Sequence, residues 1–269
     1  RVLRKETSTY YEKECLLRKE ASAWKDGSSY LSDRSLMMMK SELSERNPLR
    51  HLGLNLEILK ENAGFGAVMA PAGVGKTALL VQIALQAMMK EFSVFHVSLN
   101  DPIHKVTLWY DEILQNLTRA YPMKRVQDLR DDILIHRFIM TFHVDDFSVP
   151  KLEERLNDLI VQNIFQPQIL IIDGLHFNDR AESFLAALKV LAKKYRFFVW
   201  FSVHIHREEE KAESGIPFSI DGLQHYFQVI LEIEEKGDHL SLQAVKGGDG
   251  AAAAEKKLRL DPTTMLITG

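Results

Sequence analysis

Residues 70–77 have the residue types and the spacing needed to surround a phosphate group. They read Ala-Pro-Ala-Gly-Val-Gly-Lys-Thr. Small residues let successive backbone N–H groups curl around an anion, because larger side chains would block its approach. Gly73 and Gly75 permit the unusual backbone dihedrals of such a loop. The stretch therefore predicts a phosphate-binding loop opening into a helix, whose N-terminal dipole favours an anion.

The last two residues of this loop add specific chemistry. Lys76 is placed to reach the β and γ oxygens of a triphosphate, and the Thr77 hydroxyl is a ligand for Mg²⁺. The spacing is that of the Walker A motif, with Ala70 in place of the first glycine. We therefore predict that ATP and Mg²⁺ bind here. The predicted contact residues are Pro71, Ala72, Gly73, Val74, Gly75, Lys76, Thr77 and Ala78.

A second candidate is Asp173, which ends the apolar run Ile-Leu-Ile-Ile-Asp. A carboxylate at the end of a buried strand is unfavourable unless it has a partner. In a phosphate-loop protein that partner is Mg²⁺, usually through water, which is the Walker B role. The alternative is an aspartate that caps the following loop, residues 174–179. We predict Thr77 and Asp173 as the metal-side residues.

Strands that alternate with helices must position these side chains. Apolar runs predict strands at 65–70, 92–99, 137–144, 168–173 and 197–205. Helices are predicted at 76–90, 103–120, about 150–165 and 179–195, and 121–135 has no clear assignment. Period-two alternation at 226–235, 239–245 and 256–260 indicates antiparallel strands. The predicted fold is α/β, with helices on both faces of a mostly parallel sheet that C-terminal antiparallel strands extend.

Composition limits the classes of protein that remain. The chain has 269 residues, 46% of them hydrophobic, which suits one domain at 48–269 and a helical arm or linker at 1–47. A net charge of −3 gives no overall basic field for nucleic acid or an anionic membrane. Apolar runs are too short for a membrane span. Cys15 is the single cysteine, so no intrachain disulfide forms and a cytoplasmic location is expected.

The N-terminal arm has a regular apolar spacing. Leu3, Tyr10, Leu17 and Trp24 recur every seven residues, and residues 36–39 form a second apolar patch. Two interpretations remain open: the helices pack on their own domain, or they grip a neighbouring subunit. The second would make the protein a homo-oligomer.

About residues 48–269 resemble the RecA/DnaB/KaiC superfamily of P-loop ATPases. The segment AGVGKTALLVQIALQAM (72–88) is similar to the Walker A helix of replicative helicases. VFHVSLND (94–101) resembles their next strand, FSVHIHR (201–207) their sensor strand, and AVKGGDG (244–250) the Lys-x-Arg-x-Gly segment that reaches a neighbour's ATP site. The resemblance implies a RecA-like core that binds ATP.

The chain departs from that family at three functional positions. The catalytic Glu of the family falls on Asn100, the sensor Gln on His204 and the trans-acting Arg on Gly248, while Lys246 is kept. Asparagine can hold a water molecule but cannot accept its proton. Asp101 is adjacent, but neighbouring strand residues point to opposite faces. Since an arginine finger contributes about 10³–10⁵ in rate, we predict weak or absent hydrolysis.

The segment after the sensor strand bears on nucleic acid and metal. His204 and His206 have a spacing that can bind a metal, although no third ligand is evident. Arg207 could meet a phosphate or pair with one of the acidic residues at 208–210. The loop HREEEKAESGIPFSIDG is acidic, which opposes phosphate contacts and weakens a DNA-binding interpretation.

Three functions stay open on sequence alone. The first is an ATP-binding protein in which the nucleotide acts as an assembly or signalling switch, with an unidentified protein partner. The second is an active DnaB/RecA-type DNA-dependent ATPase, with Asp101 or a partner subunit supplying the base. The third, a small-molecule kinase, is disfavoured because no Arg-rich lid segment follows the loop.

Overall fold

The computed structural model describes residues 30–177, 181–207, 209–247 and 256–268. The heptad-spaced residues 3–24, Cys15 and Gly248 lie outside these ranges. Elements are numbered within the described residues.

A single eight-stranded sheet forms the centre of the described chain. Its strands are β1 (Phe65–Ala70), β2 (Val94–Ser98), β3 (Arg137–Thr141), β4 (Ile169–Asp173), β5 (Phe198–His204), β6 (Phe227–Lys236), β7 (His239–Lys246) and β8 (Lys257–Leu260). They are arranged in the order β3-β2-β4-β5-β1-β6-β7-β8. Every pair from β3 to β6 is parallel, and β7 and β8 are added antiparallel. The predicted fold class is confirmed, although β6 joins β1 in parallel and only its other edge is antiparallel.

Nine α-helices accompany the sheet in the described ranges, besides two short 3₁₀ helices at Val144–Asp146 and Gln224–Tyr226. The α-helices are α1 (Tyr30–Glu45), α2 (Pro48–His51), α3 (Leu56–Glu61), α4 (Lys76–Met89), α5 (Ile103–Thr118), α6 (Met123–Leu134), α7 (Val149–Val161), α8 (Ala181–Tyr195) and α9 (Phe218–Asp221). Helix α6 occupies the stretch that the sequence left unassigned. Among the described helices, none has both the length and the apolar character that crossing a bilayer requires.

The helices cover both faces of the sheet because side chains alternate between the faces along each strand. Val68 and Trp200 face a core that includes residues of α1 to α6. Met69 and Phe201 face a second core with α7, α8 and α9. The central strands are buried on both sides, which explains why they are apolar without interruption.

Helix α1 belongs to the predicted arm, and one side of it packs on the domain of its own chain. Met39 and Leu43 are 2% exposed and part of the first core. The Glu42 carboxylate accepts a hydrogen bond from the Tyr121 hydroxyl at 2.6 Å. Met37 and Met38 point outward and are 70% and 59% exposed. The apolar patch predicted at 36–39 is therefore divided between an inner and an outer face.

Candidate functional site

The candidate site lies at the carboxyl edge of the sheet, where β1 ends at Ala70 and α4 begins at Lys76. The loop between them has Gly73 and Gly75 in the left-handed region, with φ of 78° and 91°. The left-handed φ of Gly75 favours glycine at this position, and the flexible end of the Met265 side chain lies directly against it. The strand–loop–helix context predicted for a phosphate loop is present.

The Lys76 ammonium is held over this loop. Its Nζ donates hydrogen bonds to the carbonyl oxygens of Ala70 at 2.8 Å and Pro71 at 2.7 Å. Burial lowers the pKa of Lys76, and the negative charge of Asp173 acts in the opposite direction. The cation therefore sits where an incoming anion can replace backbone carbonyls as its partner.

The two predicted metal-side residues are in direct contact. The Thr77 hydroxyl donates a hydrogen bond to Oδ2 of Asp173 at 2.7 Å. Asp173 ends β4 and is 9% exposed. A hydroxyl beside a carboxylate forms a set of oxygen donors, the type that Mg²⁺ prefers. These two residues fit a magnesium ion bound at the loop.

A cavity of about 570 Å³ opens above the loop. Its lining includes these predicted residues: Ala72, Gly73, Val74, Gly75, Lys76, Thr77, Ala78, Asn100, Asp173 and His204. Pro71 lies beside a different pocket and contributes its carbonyl to Lys76 instead. The cavity brings together side chains from the ends of β1, β2, β4 and β5, as expected at the carboxyl edge of a parallel sheet.

Sequence reasoning missed several residues that line the same cavity. They are Trp109, Glu112, Gly174, Leu175, His176, Ser202, Glu235, Leu240, Pro262, Thr263 and Met265. Ser202 could have been found, because it lies two residues before His204 on the same strand face. Its hydroxyl accepts a hydrogen bond from the Gly174 N–H at 2.8 Å and so fixes the backbone after Asp173. No local pattern marks Trp109 or Met265.

Asn100 and Asp101 take different positions in the bend after β2, which ends at Ser98, so the strand alternation assumed from the sequence does not apply to them. Asn100 is exposed to the cavity, and a Cβ atom on Gly174 would lie 2.5 Å from its Nδ2 atom. Gly174 thus leaves room for the Asn100 amide beside Asp173. The Asp101 carboxylate instead accepts a hydrogen bond from Lys105 at 2.8 Å, one turn along α5. Asp101 is not among the described residues that line the cavity.

The histidines after β5 lie close together. The rings of His204 and His206 are 5.5 Å apart. Burial lowers the pKa of His204, and the neighbouring Lys76, His206 and His176 lower it further. His204 lines the cavity, and these effects favour its uncharged form. Within the described ranges, no group of three His, Cys, Asp or Glu side chains could hold a metal ion.

Two further cations from the sequence analysis have partners within the chain, and neither is among the described residues that line the cavity. Arg207 pairs with Glu235 at 2.8 Å, where both side chains are well exposed and the pair contributes little. Lys246 donates a hydrogen bond to the Gln224 carbonyl at 2.7 Å.

A buried histidine lies one strand away from Asp173. His96 is completely buried on β2, and its Nδ1 atom is 3.0 Å from the Tyr110 hydroxyl. Burial lowers the pKa of His96 to about 4; the charge of Asp173 opposes this shift and that of Arg137 adds to it. The folded protein therefore holds a neutral imidazole beneath the site.

We expect this histidine to make stability pH-dependent. An unfolded chain binds a proton on His96 below about pH 6.5, whereas the folded chain does not until about pH 4. The contribution of neutral His96 to the free energy of unfolding is thus fully present above about pH 6.5. It falls by about 1.4 kcal/mol per pH unit on acidification from there to about pH 4. Urea unfolding at pH 7.5 and pH 5.0 should show a loss of about 2 kcal/mol. The His96→Phe variant should be less stable than the wild type at both pH values, but its free energy of unfolding should differ clearly less between them. If the variant loses as much stability as the wild type between pH 7.5 and pH 5.0, His96 is not the source of the pH dependence.

Comparison of the sequence with models of known protein families and with curated protein sequences finds no match. Function is therefore inferred from the site itself.

Proposed function

We propose that this protein is a RecA-like P-loop protein that binds ATP with Mg²⁺ and hydrolyses it slowly or not at all. ATP would act as an assembly or signalling switch. The observation that carries the proposal is the 2.7 Å contact between Thr77 and Asp173, beside a glycine loop that holds the Lys76 ammonium. The three residues come from β1–α4 and β4, the places where a P-loop protein needs them.

Each residue then has a defined task. The N–H groups of the loop and the start of α4 would bind the phosphates, together with Lys76. Thr77 and Asp173 would hold Mg²⁺, which neutralises phosphate charge. Ser202 would keep the backbone next to Asp173 in place through its hydrogen bond to Gly174. His204, which lines the cavity, would act as a hydrogen-bonding group in the role of a nucleotide sensor.

Slow turnover is proposed because Asn100, the residue at the base position, carries no carboxylate. Asp101 is engaged with Lys105 and stands away from the cavity. The missing carboxylate at Asn100 and the distant position of Asp101 both affect the transition state for hydrolysis. ATP binding can therefore be retained while the rate of hydrolysis is low.

The alternative, a DNA-dependent ATPase, has one observation in its favour. A groove of about 920 Å³ lies at the opposite, amino edge of the parallel strands, and its charged lining residues are Lys60, Glu61, Lys193, Lys194 and Arg196. Basic grooves of this kind can follow a nucleic-acid backbone. Binding of single-stranded DNA that weakens steeply with salt would favour this alternative.

Self-association through the N-terminal region is also proposed. The exposed Met37 and Met38 on α1 support it. The heptad spacing of Leu3, Tyr10, Leu17 and Trp24 in the sequence of the arm at 1–47 supports it as well. A cytoplasmic location stays a prediction from the single cysteine.

We expect millimolar Mg·ATP to stabilise the protein against unfolding. Ligand at about 100 times its Kd stabilises the folded state by about 2.7 kcal/mol. Lys76→Ala should remove most of that gain, because the loop loses its phosphate-facing cation. The matched control is Lys90→Ala at the other end of α4, which should keep it. Thermal unfolding with and without Mg·ATP measures both, and an unshifted wild-type melting temperature would refute nucleotide binding at this loop.

A further inference from the structure

A turn after β8 brings the chain back against the phosphate loop. This C-terminal turn, residues 261–266, is closed by an antiparallel bridge between the end of β8 and Ile267. Within it, Oδ1 of Asp261 accepts hydrogen bonds from the N–H groups of Thr263 at 2.9 Å and Thr264 at 2.7 Å. The turn therefore has a defined shape that its own hydrogen bonds maintain.

Met265 has a backbone conformation that a residue other than glycine seldom adopts, with φ of 60°. Its N–H donates a hydrogen bond to the Asp261 carbonyl at 2.8 Å. Its carbonyl accepts one from the side-chain amide of Gln82 on α4 at 2.7 Å, and Gln82 is 2% exposed. A left-handed residue persists where its surroundings fix it, and Met265 is fixed on both sides.

The side chain of Met265 packs on the phosphate loop. It belongs to the same buried core as Val74 and Ala78. Its Sδ and Cε atoms lie directly against Gly75, on the side where any other residue would carry its Cβ atom. The Gly75 carbonyl in turn accepts the N–H of Leu79 at 3.0 Å, in the first turn of α4. Met265 thus fills the space that glycine leaves open at the start of this helix.

The loop has little other support of this kind. A Cβ atom built on Gly73 would have no neighbour within 4 Å among the described residues. Glycines allow a loop many conformations, and a phosphate is bound only by those in which the N–H groups converge. Affinity therefore depends on how often the free loop has the converged conformation.

From these contacts we propose that the C-terminal turn braces the phosphate loop, with Met265 and Gln82 as positioning residues for anion binding. The brace raises the fraction of free protein whose loop can accept a phosphate. It acts on the loop and not through contact with the ligand. This inference rests on the proposed function and adds to it a dependence of phosphate affinity on the C-terminal end of the fold.

The test measures phosphate affinity by isothermal titration of the full chain with the Mg²⁺ complexes of inorganic tripolyphosphate and of ATP. Met265→Ala removes the contact with Gly75. Gln82→Met keeps the length of the side chain and removes the donor to the Met265 carbonyl. Each variant should weaken both ligands about tenfold, as expected when the competent fraction falls to about a tenth. Met265→Leu, which keeps most of the volume, should stay within about threefold of the wild type.

Two further measurements separate positioning from a general loss of stability. Met39→Ala removes a similarly buried methionine of the same core from α1, and should leave both dissociation constants unchanged. In the ligand-free protein, the Leu79 amide should exchange hydrogen faster in Met265→Ala and Gln82→Met, relative to the amides of β4. A purely structural effect would speed both regions alike.

Unchanged affinity in both Met265→Ala and Gln82→Met would overturn the brace. A loss confined to ATP would overturn it as well, because a misplaced loop must weaken tripolyphosphate too. If the wild type binds neither ligand, the proposed function fails; unchanged Leu79 exchange in the two variants would then show separately that the turn does not brace the loop.

Discussion

Replacing Lys211 with methionine is expected to lower the free energy of unfolding by about 2–3 kcal/mol. Lys211 lies in the loop after β5, and its ammonium contacts Oε1 of Glu232 at 2.6 Å and Oε1 of Glu234 at 3.1 Å. The Glu232 side chain is only 2% exposed, and its second oxygen accepts a hydrogen bond from Gln243 at 2.9 Å. Removing the cation leaves a buried carboxylate without its counter-charge, which destabilises a fully buried pair by about 3–5 kcal/mol.

The expected loss is smaller than that for a fully buried pair because solvent surrounds part of the lysine. The Lys211 side chain is 36% exposed, so water reaches part of the pair and screens it. Burial by itself would lower the pKa of Lys211; its hydrogen bonds to Glu232 and Glu234 outweigh that effect, and the pKa is raised. The lysine therefore stays charged at neutral pH and anchors the loop to β6.

Two controls separate the buried pair from a general loss of charge. Lys236→Met removes a cation that pairs with Glu234 at the surface, and should change stability by less than about 0.5 kcal/mol. Adding Glu232→Gln to Lys211→Met should restore part of the loss, because a neutral amide is easier to bury than a charge. Denaturant unfolding of the four proteins measures this. Equal effects of the two lysine substitutions would contradict a structural role for the buried pair.

Elements whose sequence signal lies within a few consecutive residues were predicted correctly, whereas elements with a weak local signal were missed. The strand at 65–70 and the loop after it were predicted with correct bounds, because an apolar run followed by Gly-x-Gly-Lys-Thr is contained within about a dozen residues. Helix α6 was missed because its buried contacts come mainly from Leu129 and Ile133, among many charged residues. Two apolar positions are too few to give a clear helical period.

Strand direction and distant contacts are less visible in a sequence. The alternating sequence of β6 suggested an antiparallel strand, but such a pattern does not encode whether a neighbour runs parallel, so the pairing with β1 was missed. The same limit applies to the cavity. Gln82 and Met265 are 183 positions apart, and only the fold brings the C-terminal turn to the phosphate loop.

The largest predicted effect concerns hydrolysis, which should be slow in the wild type and rise in Asn100→Glu. A general base contributes about 10²–10⁴-fold, and the Asn100 amide cannot accept a proton from water. Turnover without a partner should therefore lie well below the 1 s⁻¹ at the lower end of typical enzymes. A glutamate at this position would extend into the same cavity as Lys76 and Asp173 and should raise turnover by about 10²-fold or more.

Two substitutions test whether the gain is that of a base. Asn100→Gln has nearly the shape of the glutamate variant without its carboxylate, and should leave the rate low. Asp101→Ala should also change little, since the Asp101 carboxylate is paired with Lys105 outside the cavity. Phosphate release under saturating Mg·ATP, with and without single-stranded DNA, measures all four proteins. Wild-type turnover above about 1 s⁻¹ without a partner would overturn the switch proposal. A rate abolished by Asp101→Ala would identify Asp101 as the base. Strong stimulation by DNA would favour the motor. Either result requires another group in the assembly to compensate for the missing carboxylate at Asn100.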